Sequence, residues 1–347
     1  MKKKRSSIVD IARELNISIT TVSFILNGKA REKRISNELV EKVLKFVEEV
    51  NYVPNQLAKS LRTGKTNIVG LIVEDISNVF FANVARLIEE NANKRGYKIF
   101  YCSSENDREK TSQLIKLFRE RQIDGYIITP CEGIEKDILS LIDDKCKVVL
   151  FDRYLPAIEC NHIIVDNHAG TFQAIEHLIE QGYENIALVT LDSTQTQMQD
   201  RLEGYRQALE NHNKKPIIKK LPFHENPEKT IEDIIELLQA ENTIDAIFFA
   251  TNYLAVSGLE AIKRLKLNIP SDIGIIAFDD HDLFRLYTPS ITVVAQPIEE
   301  MSEKIMSILL DQIEARAEEQ QVEQVVLPTS LVIRNSSVKA RKRVVTN

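Results

Sequence analysis

The sequence predicts an all-α head of the helix-turn-helix type joined to an α/β body of two Rossmann-like lobes. Three observations carry this. The chain has 347 residues, enough for two or three domains at roughly 100 to 200 residues each. Its apolar periodicity changes from helical stripes in the first fifty or so positions to strand-like runs alternating with amphipathic helices. Residues 1–65 hold 14 Lys or Arg against 7 Asp or Glu, whereas the remainder holds 31 against 44. A small basic head on a large acidic body is the charge pattern of a nucleic-acid-binding protein.

In the head, Ser7 followed by Asp10 forms a short capping box, and Ile8, Ile11, Ala12 and Leu15 recur on one face, which predicts a helix over 8–15. Asn16-Ile17-Ser18 supplies a turn. Ser18 can cap a second helix over 19–26, with Val22, Ile25 and Leu26 inward and Thr20, Thr21, Ser23 and Phe24 outward. A third helix follows Ser36, with Leu39, Val40, Val43, Val47 and Val50 on its buried stripe. Between the last two lies Gly28-Lys29-Ala30-Arg31-Glu32-Lys33-Arg34, whose clustered cations can neutralise phosphates. The segment 52–65 is helix-capable, with Pro54 near its start and Gly64 after its end.

In the body, strand-like runs fall at 67–73, 97–102, 125–129, 148–151, 163–165, 186–190, 246–250 and 273–278, and helices are expected over 82–94, 108–121, 170–181 and 229–239. A helix over 298–319 and a strand over 325–333 complete the plan. Such alternation means parallel doubly wound sheets, whose ligands bind at the carboxyl ends of the strands. Residues just past those ends include Asp75, Ser77, Asn78, Phe80, Ser103, Ser104, Thr129, Asp152, Arg153, Asp166, Asn167, Asn252, Asp279, Asp280 and Gln296. Carboxylate, amide and guanidinium groups with an aromatic face suit a polyhydroxylated ligand.

The composition closes other routes. With 43% hydrophobic and 28% charged residues, the chain is an ordinary globular one. No run approaches the roughly 18 apolar residues of a membrane span, so no membrane partner is expected. The basic start Met1-Lys2-Lys3-Lys4-Arg5 meets no apolar segment or cleavage site, so the expected location is cytoplasmic. Cys102, Cys131, Cys146 and Cys160 lack metal-ligand spacing, so buried thiols are expected and neither metal nor cofactor is implied. The six His are scattered, with His177 and His212 expected on helix surfaces.

The run Val9-Asp10-Ile11-Ala12, with Thr21-Val22-Ser23, Leu26-Asn27-Gly28, Asn51-Tyr52, Pro54-Asn55 and Ser60-Leu61-Arg62-Thr63-Gly64, resembles the LacI/GalR family of bacterial transcriptional regulators. The resemblance extends to about residue 335. The longer basic loop and Phe24, where many relatives carry Arg, resemble the fructose repressor or catabolite repressor/activator branch.

For the head, the resemblance implies that Ile19, Thr20 and Phe24 read bases in the major groove of double-stranded operator DNA. It places Ser18, Thr21, Ser23 and Asn27 on phosphates; Lys29, Arg31 and Arg34 of the loop join them on charge. Residues 54–62 would form a hinge helix contributing Asn55 and Lys59, with Leu61 wedged into the minor groove. For the body, it implies lobes of the periplasmic-binding-protein type. The expected domains are a 1–52 head, a 53–65 hinge and linker, a 66–340 effector-binding and dimerisation body, and a 337–347 basic tail. Lobe one would take 66–165 and 297–325, and lobe two 166–296 and 326–336. Arg153, Arg201, Asn252, Asp279 and Gln296 match effector-contact positions, with Asn78, Phe80 and Phe81 on the first-lobe side. A carbohydrate or sugar-phosphate effector and a homodimer, with a tetramer as the larger alternative, complete the expectation.

No Gly-x-x-x-x-Gly-Lys-Ser/Thr loop, Gly-x-Ser-x-Gly elbow or His-Glu-x-x-His occurs, so the chain is not expected to be an enzyme. A periplasmic-type sugar-binding protein would fit the body alone, but not the basic head.

Overall fold

The computed structural model describes residues 7–52, 64–223, 226–314 and 321–339. The chain divides into a unit over Met1–Thr66 and a second over Asn67–Asn347.

The first unit contains α1 (Ile8–Glu14), α2 (Ile19–Leu26) and α3 (Asn37–Glu49). The expected capping box is present, with Asp10 N–H donating to Ser7 Oγ at 3.2 Å and Ser7 N–H to Asp10 Oδ2 at 2.9 Å. Ser18 caps α2 by accepting from Thr21 N–H at 3.0 Å, and Ser36 caps α3. Asn16 turns the chain between α1 and α2 at φ 51°, a conformation that asparagine tolerates better than most residues. Ile11, Ala12, Val22, Ile25 and Val43 form the buried centre, with Leu39, Val40 and Val47 packed around it. Phe46 joins this cluster, whereas Val50 is the residue that ends α3.

The second unit holds two sheets. Its elements run β1 (Ile68–Val73), α4 (Val79–Lys94), β2 (Lys98–Ser103), α5 (Arg108–Glu120), β3 (Gly125–Ile128), α6 (Glu135–Asp143), β4 (Val148–Phe151) and β5 (Asn161–Val165). There follow α7 (Asn167–Glu180), β6 (Ile186–Leu191), α8 (Thr196–Asn211), β7 (Ile217–Leu221), α9 (Pro227–Ala240), β8 (Ala246–Phe249), α10 (Asn252–Arg264), β9 (Gly274–Phe278) and α11 (Asp282–Leu286). The chain ends with β10 (Thr292–Ala295), α12 (Ile298–Glu314), β11 (Gln324–Leu327) and β12 (Ser330–Val332). One sheet has the order β11-β5-β4-β3-β1-β2 and is parallel throughout. The other has the order β12-β10-β9-β8-β6-β7, with β12 antiparallel to β10. Inner strands buried on both faces explain the unbroken apolar runs such as Ala246–Phe249.

Three expectations change. The single strand over 325–333 is two strands in different sheets: Val326 pairs with Ile164, and Leu331 with Val294. Pro328 lacks the N–H a strand would need there. The crossing between lobes therefore falls at 328–329, beyond the expected 325/326 boundary. Strands β7 and β10 were not among the expected runs. β7 is an edge strand carrying Lys219 and Lys220, and Lys219 reaches Asp233 at 2.7 Å. His177 is buried, not superficial, with Nε2 2.9 Å from Ser337 Oγ, itself 2.7 Å from Thr292 Oγ1. His212 does lie near the surface, beside Glu176 at 3.0 Å.

Of the cysteines, Cys131 and Cys160 are buried, Cys102 and Cys146 are half-buried, and all four are free thiols. No described helix is long and apolar enough to cross a membrane.

Candidate functional site

Helix α2 presents Ser18, Ile19 and Thr20 to solvent, with Thr21, Ser23 and Phe24 half-buried beside them. The Ser18 and Thr21 hydroxyls lie 2.8 Å apart, and Asn27 Nδ2 donates to the Ser23 carbonyl at 2.7 Å. These short polar groups are held by the helix they cap, with Ile19 as the exposed apolar tip. Lys29, Arg31 and Arg34 are exposed on the following loop. Asn55, Lys59 and Leu61, the hinge over 54–62, and the basic tail from 340 onward lie outside the described residues.

In the second unit, the two lobes face each other across a narrow cavity of about 30 Å³. Its lobe-one wall is Glu74, Asn78, Phe80, Phe81 and Asp152; its lobe-two wall includes Gln197, Arg201, Tyr253 and Asp279. A sheet of the order seen here opens a crevice beyond its carboxyl strand ends. Phe80 and Phe81 pack edge to face at 5.0 Å and floor the lobe-one side. Helices α7 and α8 approach closely because residue 204 is glycine: a Cβ there would stand 2.4 Å from the His168 carbonyl oxygen. That approach lets Arg201 donate through Nε to Asn167 Oδ1 at 2.9 Å and through Nη1 to the Ala250 carbonyl at 2.6 Å. Its guanidinium lies 3.5 Å from the centre of the Phe278 ring, a favourable cation–π contact when desolvated.

Arg153 is turned into lobe one. Its Nη2 donates to Glu74 Oε2 and to Asn106 Oδ1, each at 2.8 Å. Its Nε and Nη1 have no hydrogen-bond partner among the described residues, although Nε lies 4.0 Å from Asp152 Oδ2; Gln197 Oε1 and Gln296 Oε1 likewise lack one. Gln296 instead donates through Nε2 to Asp279 Oδ1 at 2.6 Å, supporting that carboxylate from behind. The lobes are bridged by Asn252 Nδ2 donating to Asn78 Oδ1 at 3.0 Å and by Gln195 Nε2 donating to Asn106 Oδ1 at 3.2 Å.

Burial pushes the Asp152 carboxyl up to about 6, with the Arg153 and Arg201 guanidiniums opposing the rise. Burial also raises Asp279, against the pull of Arg201 and the Gln296 hydrogen bond. Arg201 is lowered by its own burial, an effect opposed by Asp279 and Asp152. Low local dielectric disfavours the charged form of each.

The structure thus brings Asn78, Phe80, Phe81, Arg201 and Asp279 to one cavity, with Asn252 lining an adjoining space beside Asn78. Arg153 and Gln296 stand one layer back. Several other strand-end residues serve the fold: Asp75 accepts from Ser77 N–H, Asp166 caps α7, Ser104 donates to the Val73 carbonyl, and Asp280 pairs with Arg334 at 2.6 Å. Sequence reasoning missed Glu74, Gln197 and Tyr253. A carboxylate directly continuing the apolar run Ile68–Val73 was a usable signal for Glu74, and Gln197 lies one turn before Arg201 on the same helix. Among the described residues, no cluster of His, Cys, Asp and Glu could hold a metal ion.

Comparison with known proteins agrees with both units. Residues 7–55 match the bacterial regulatory proteins of the lacI family, and residues 175–337 match the periplasmic binding protein-like domain. The ribose operon repressor of Halalkalibacterium halodurans is 31% identical over 332 residues, covering 96% of this chain and 97% of its own. The lac repressor dimer bound to operator and an anti-inducer superposes with a TM-score of 0.84 at 20% identity, over 97% of this chain and 100% of that one. A LacI family regulator from Enterococcus faecium with bound ribose gives a TM-score of 0.69 at 25% identity, over 78% of this chain and 98% of its own. The head's capped helix pair, the two doubly wound lobes and the near full-length likeness lead to one assignment: this chain belongs to the lacI family of bacterial regulatory proteins.

Proposed function

We propose that the protein is a homodimeric, sequence-specific repressor of carbohydrate genes, working in the cytoplasm and without enzymatic activity. Its operator affinity is set by a small neutral sugar held between the lobes. The observation that carries the effector class is the charge and hydrogen-bond state of the cavity. Glu74, Asp152 and Asp279 face only two guanidiniums, and both are engaged, Arg153 by Glu74 and Arg201 by Asn167 and the Ala250 carbonyl. A phosphate dianion would meet more carboxylates than free cationic forks. A hydroxyl both donates and accepts, so it suits the cavity's carboxylates and the Gln197 Oε1, which has no hydrogen-bond partner among the described residues. This favours the free sugar over the sugar phosphate. The ribose named in two of the relatives makes a pentose the first compound to try.

In the head, Ser18, Ile19, Thr20, Thr21, Ser23 and Asn27 make the helix contacts to the duplex, and Lys29, Arg31 and Arg34 add phosphate contacts. The test is calorimetry of the full-length protein with D-ribose and D-ribose 5-phosphate, followed by operator gel shift with whichever binds. Heat with ribose and none with the ester supports the reading. Binding of the ester alone overturns the effector class.

A further inference from the structure

The loop after α2 is not free of the helix it follows. Gly28, at φ 70°, turns the chain back, and Lys29 N–H donates to the Phe24 carbonyl at 2.8 Å. One helical turn follows, closed by Lys33 N–H on the Lys29 carbonyl at 3.0 Å and Ile35 N–H on the Ala30 carbonyl at 2.9 Å. Ala30 and Ile35 pack against the head core, so the turn is rooted on its inner side. Its outer side carries Lys29, Arg31, Lys33 and Arg34. From that side Lys33 Nζ comes back over the Phe24 ring, 5.5 Å from its centre. Phe24 therefore meets the turn twice, through its carbonyl and through its ring. The Lys33 ammonium is also 2.8 Å from Glu32 Oε1, so it is held between a ring face and a carboxylate while its side chain stays 42% exposed.

We propose that Phe24 is a positioning residue that holds Lys33 and the turn 29–34 ready for a backbone phosphate of the DNA duplex, and is not itself a reader of a base. The inference rests on the reading of the head as a duplex-DNA reader. An ammonium on a four-carbon stem loses rotamer freedom when it takes a phosphate, and a stem already fixed loses less. The ring supplies that fixing. A cation over an exposed ring gains about 0.5–1 kcal/mol, or two- to fivefold in binding. The assignment also accounts for an aromatic at a position otherwise surrounded by Thr21, Ser23 and Asn27: its partner is the loop's lysine.

The experiment uses full-length protein and the duplex that the parent selects from a random library. Phe24→Leu removes the ring, Lys33→Met removes the charge, and Phe24→Tyr keeps the ring. Phe24→Leu and Lys33→Met should each weaken operator binding about two- to fivefold. Both should lower the slope of log affinity against log salt by up to one phosphate's worth. The double variant should be no weaker than Lys33→Met, Phe24→Tyr should match the parent, and every variant should select the parental base sequence. A changed base preference at one position in Phe24→Leu, with the salt slope intact, would make the ring a base reader and overturn the inference. So would independent effects that multiply in the double variant. If the parent selects no sequence at all, the DNA-reading function itself fails, and the inference with it. That outcome is distinct from a parent that selects a motif while its variants show additive losses.

Discussion

Asp152 and Asp279 hold the same place in the two lobes. Each is the first residue beyond the corresponding strand, β4 or β9, each is buried, and each has a left-handed backbone, at φ 69° and 70°. The two sheets share the order in which the strand before the first crossover sits between its second and third partners, so equivalent strand ends face one another across the cleft. A side chain leaving a strand through a left-handed residue turns away from the strand's line. Two such turns aim two carboxylates at one cavity from opposite walls.

The first prediction is a pH dependence. The Asp152 carboxyl titrates near 6 in the folded protein, against an ordinary value of 3.8. An acid whose folded value is raised binds protons more readily folded than unfolded, so its contribution to stability rises as pH falls from about 7 toward 4. It is lost as pH rises through 6. Asp152→Asn should therefore be more stable than the parent at pH 7.5, by about 1 kcal/mol or more, and the difference should vanish near pH 4. Urea titrations of both proteins across that range check it. A variant less stable at pH 7.5 would mean that pairing with Arg153 and Arg201 outweighs burial.

Arg201→Lys tests the planar fork. Lysine keeps the charge but loses the paired donors to Asn167 and Ala250 and the guanidinium over the Phe278 ring. Effector affinity should fall at least about tenfold, the loss of one well-placed charged hydrogen bond. Calorimetry with the sugar that binds the parent measures it. Unchanged affinity would leave Arg201 a structural strut.

The closeness of α7 and α8 predicts that Gly204→Ala destabilises the body by about 1–3 kcal/mol, because the new Cβ meets backbone that cannot swing aside. The same substitution should also weaken effector binding, since Arg201 lies one turn away. A urea midpoint equal to the parent's would show that the helices can part at no cost.

Helix α11 leaves Leu286 81% exposed, with Leu283 one turn before it at 39%. The proposed homodimer would cover this open apolar pair. Leu286→Lys should weaken dimerisation at least about tenfold without lowering the monomer's stability, as read by ultracentrifugation and thermal melts. A dimer of parental strength would place the interface elsewhere, for instance at Phe100 and Tyr101 on edge strand β2.

Much of the architecture was legible because local signals agreed with the fold. Ser7, Ser18 and Ser36 stand where helices begin, and buried strands such as Val148–Phe151 read as continuous apolar runs. What stayed hidden depended on partners distant in sequence. Edge strand β7 carries Lys219, paired with Asp233 on the next helix, and Lys220, paired with Asp192, so no unbroken apolar run announces it. His177 reads as a surface residue until Ser337, 160 positions away, is packed on it. In the cleft, the position of Glu74 just after an apolar run gave its place at a strand end but not its ion pair, because its partner Arg153 lies 79 positions on.

The chain passes between the lobes after β5, between β10 and α12, and again at 328–329. A ribosome extending this chain therefore finishes neither lobe early. The first sheet waits for β11 at Gln324–Leu327, and the second waits for β12 at Ser330–Val332. Both edges close within nine residues of one another, on contacts of long sequence separation, which form late and slowly. A nascent chain that stops short of Gln324 would leave β5 and β10 as open edges at once, exposing both sheets to pairing with other chains. The cleft between the lobes and the outer edges of both sheets are thus completed by one short stretch, 324–332.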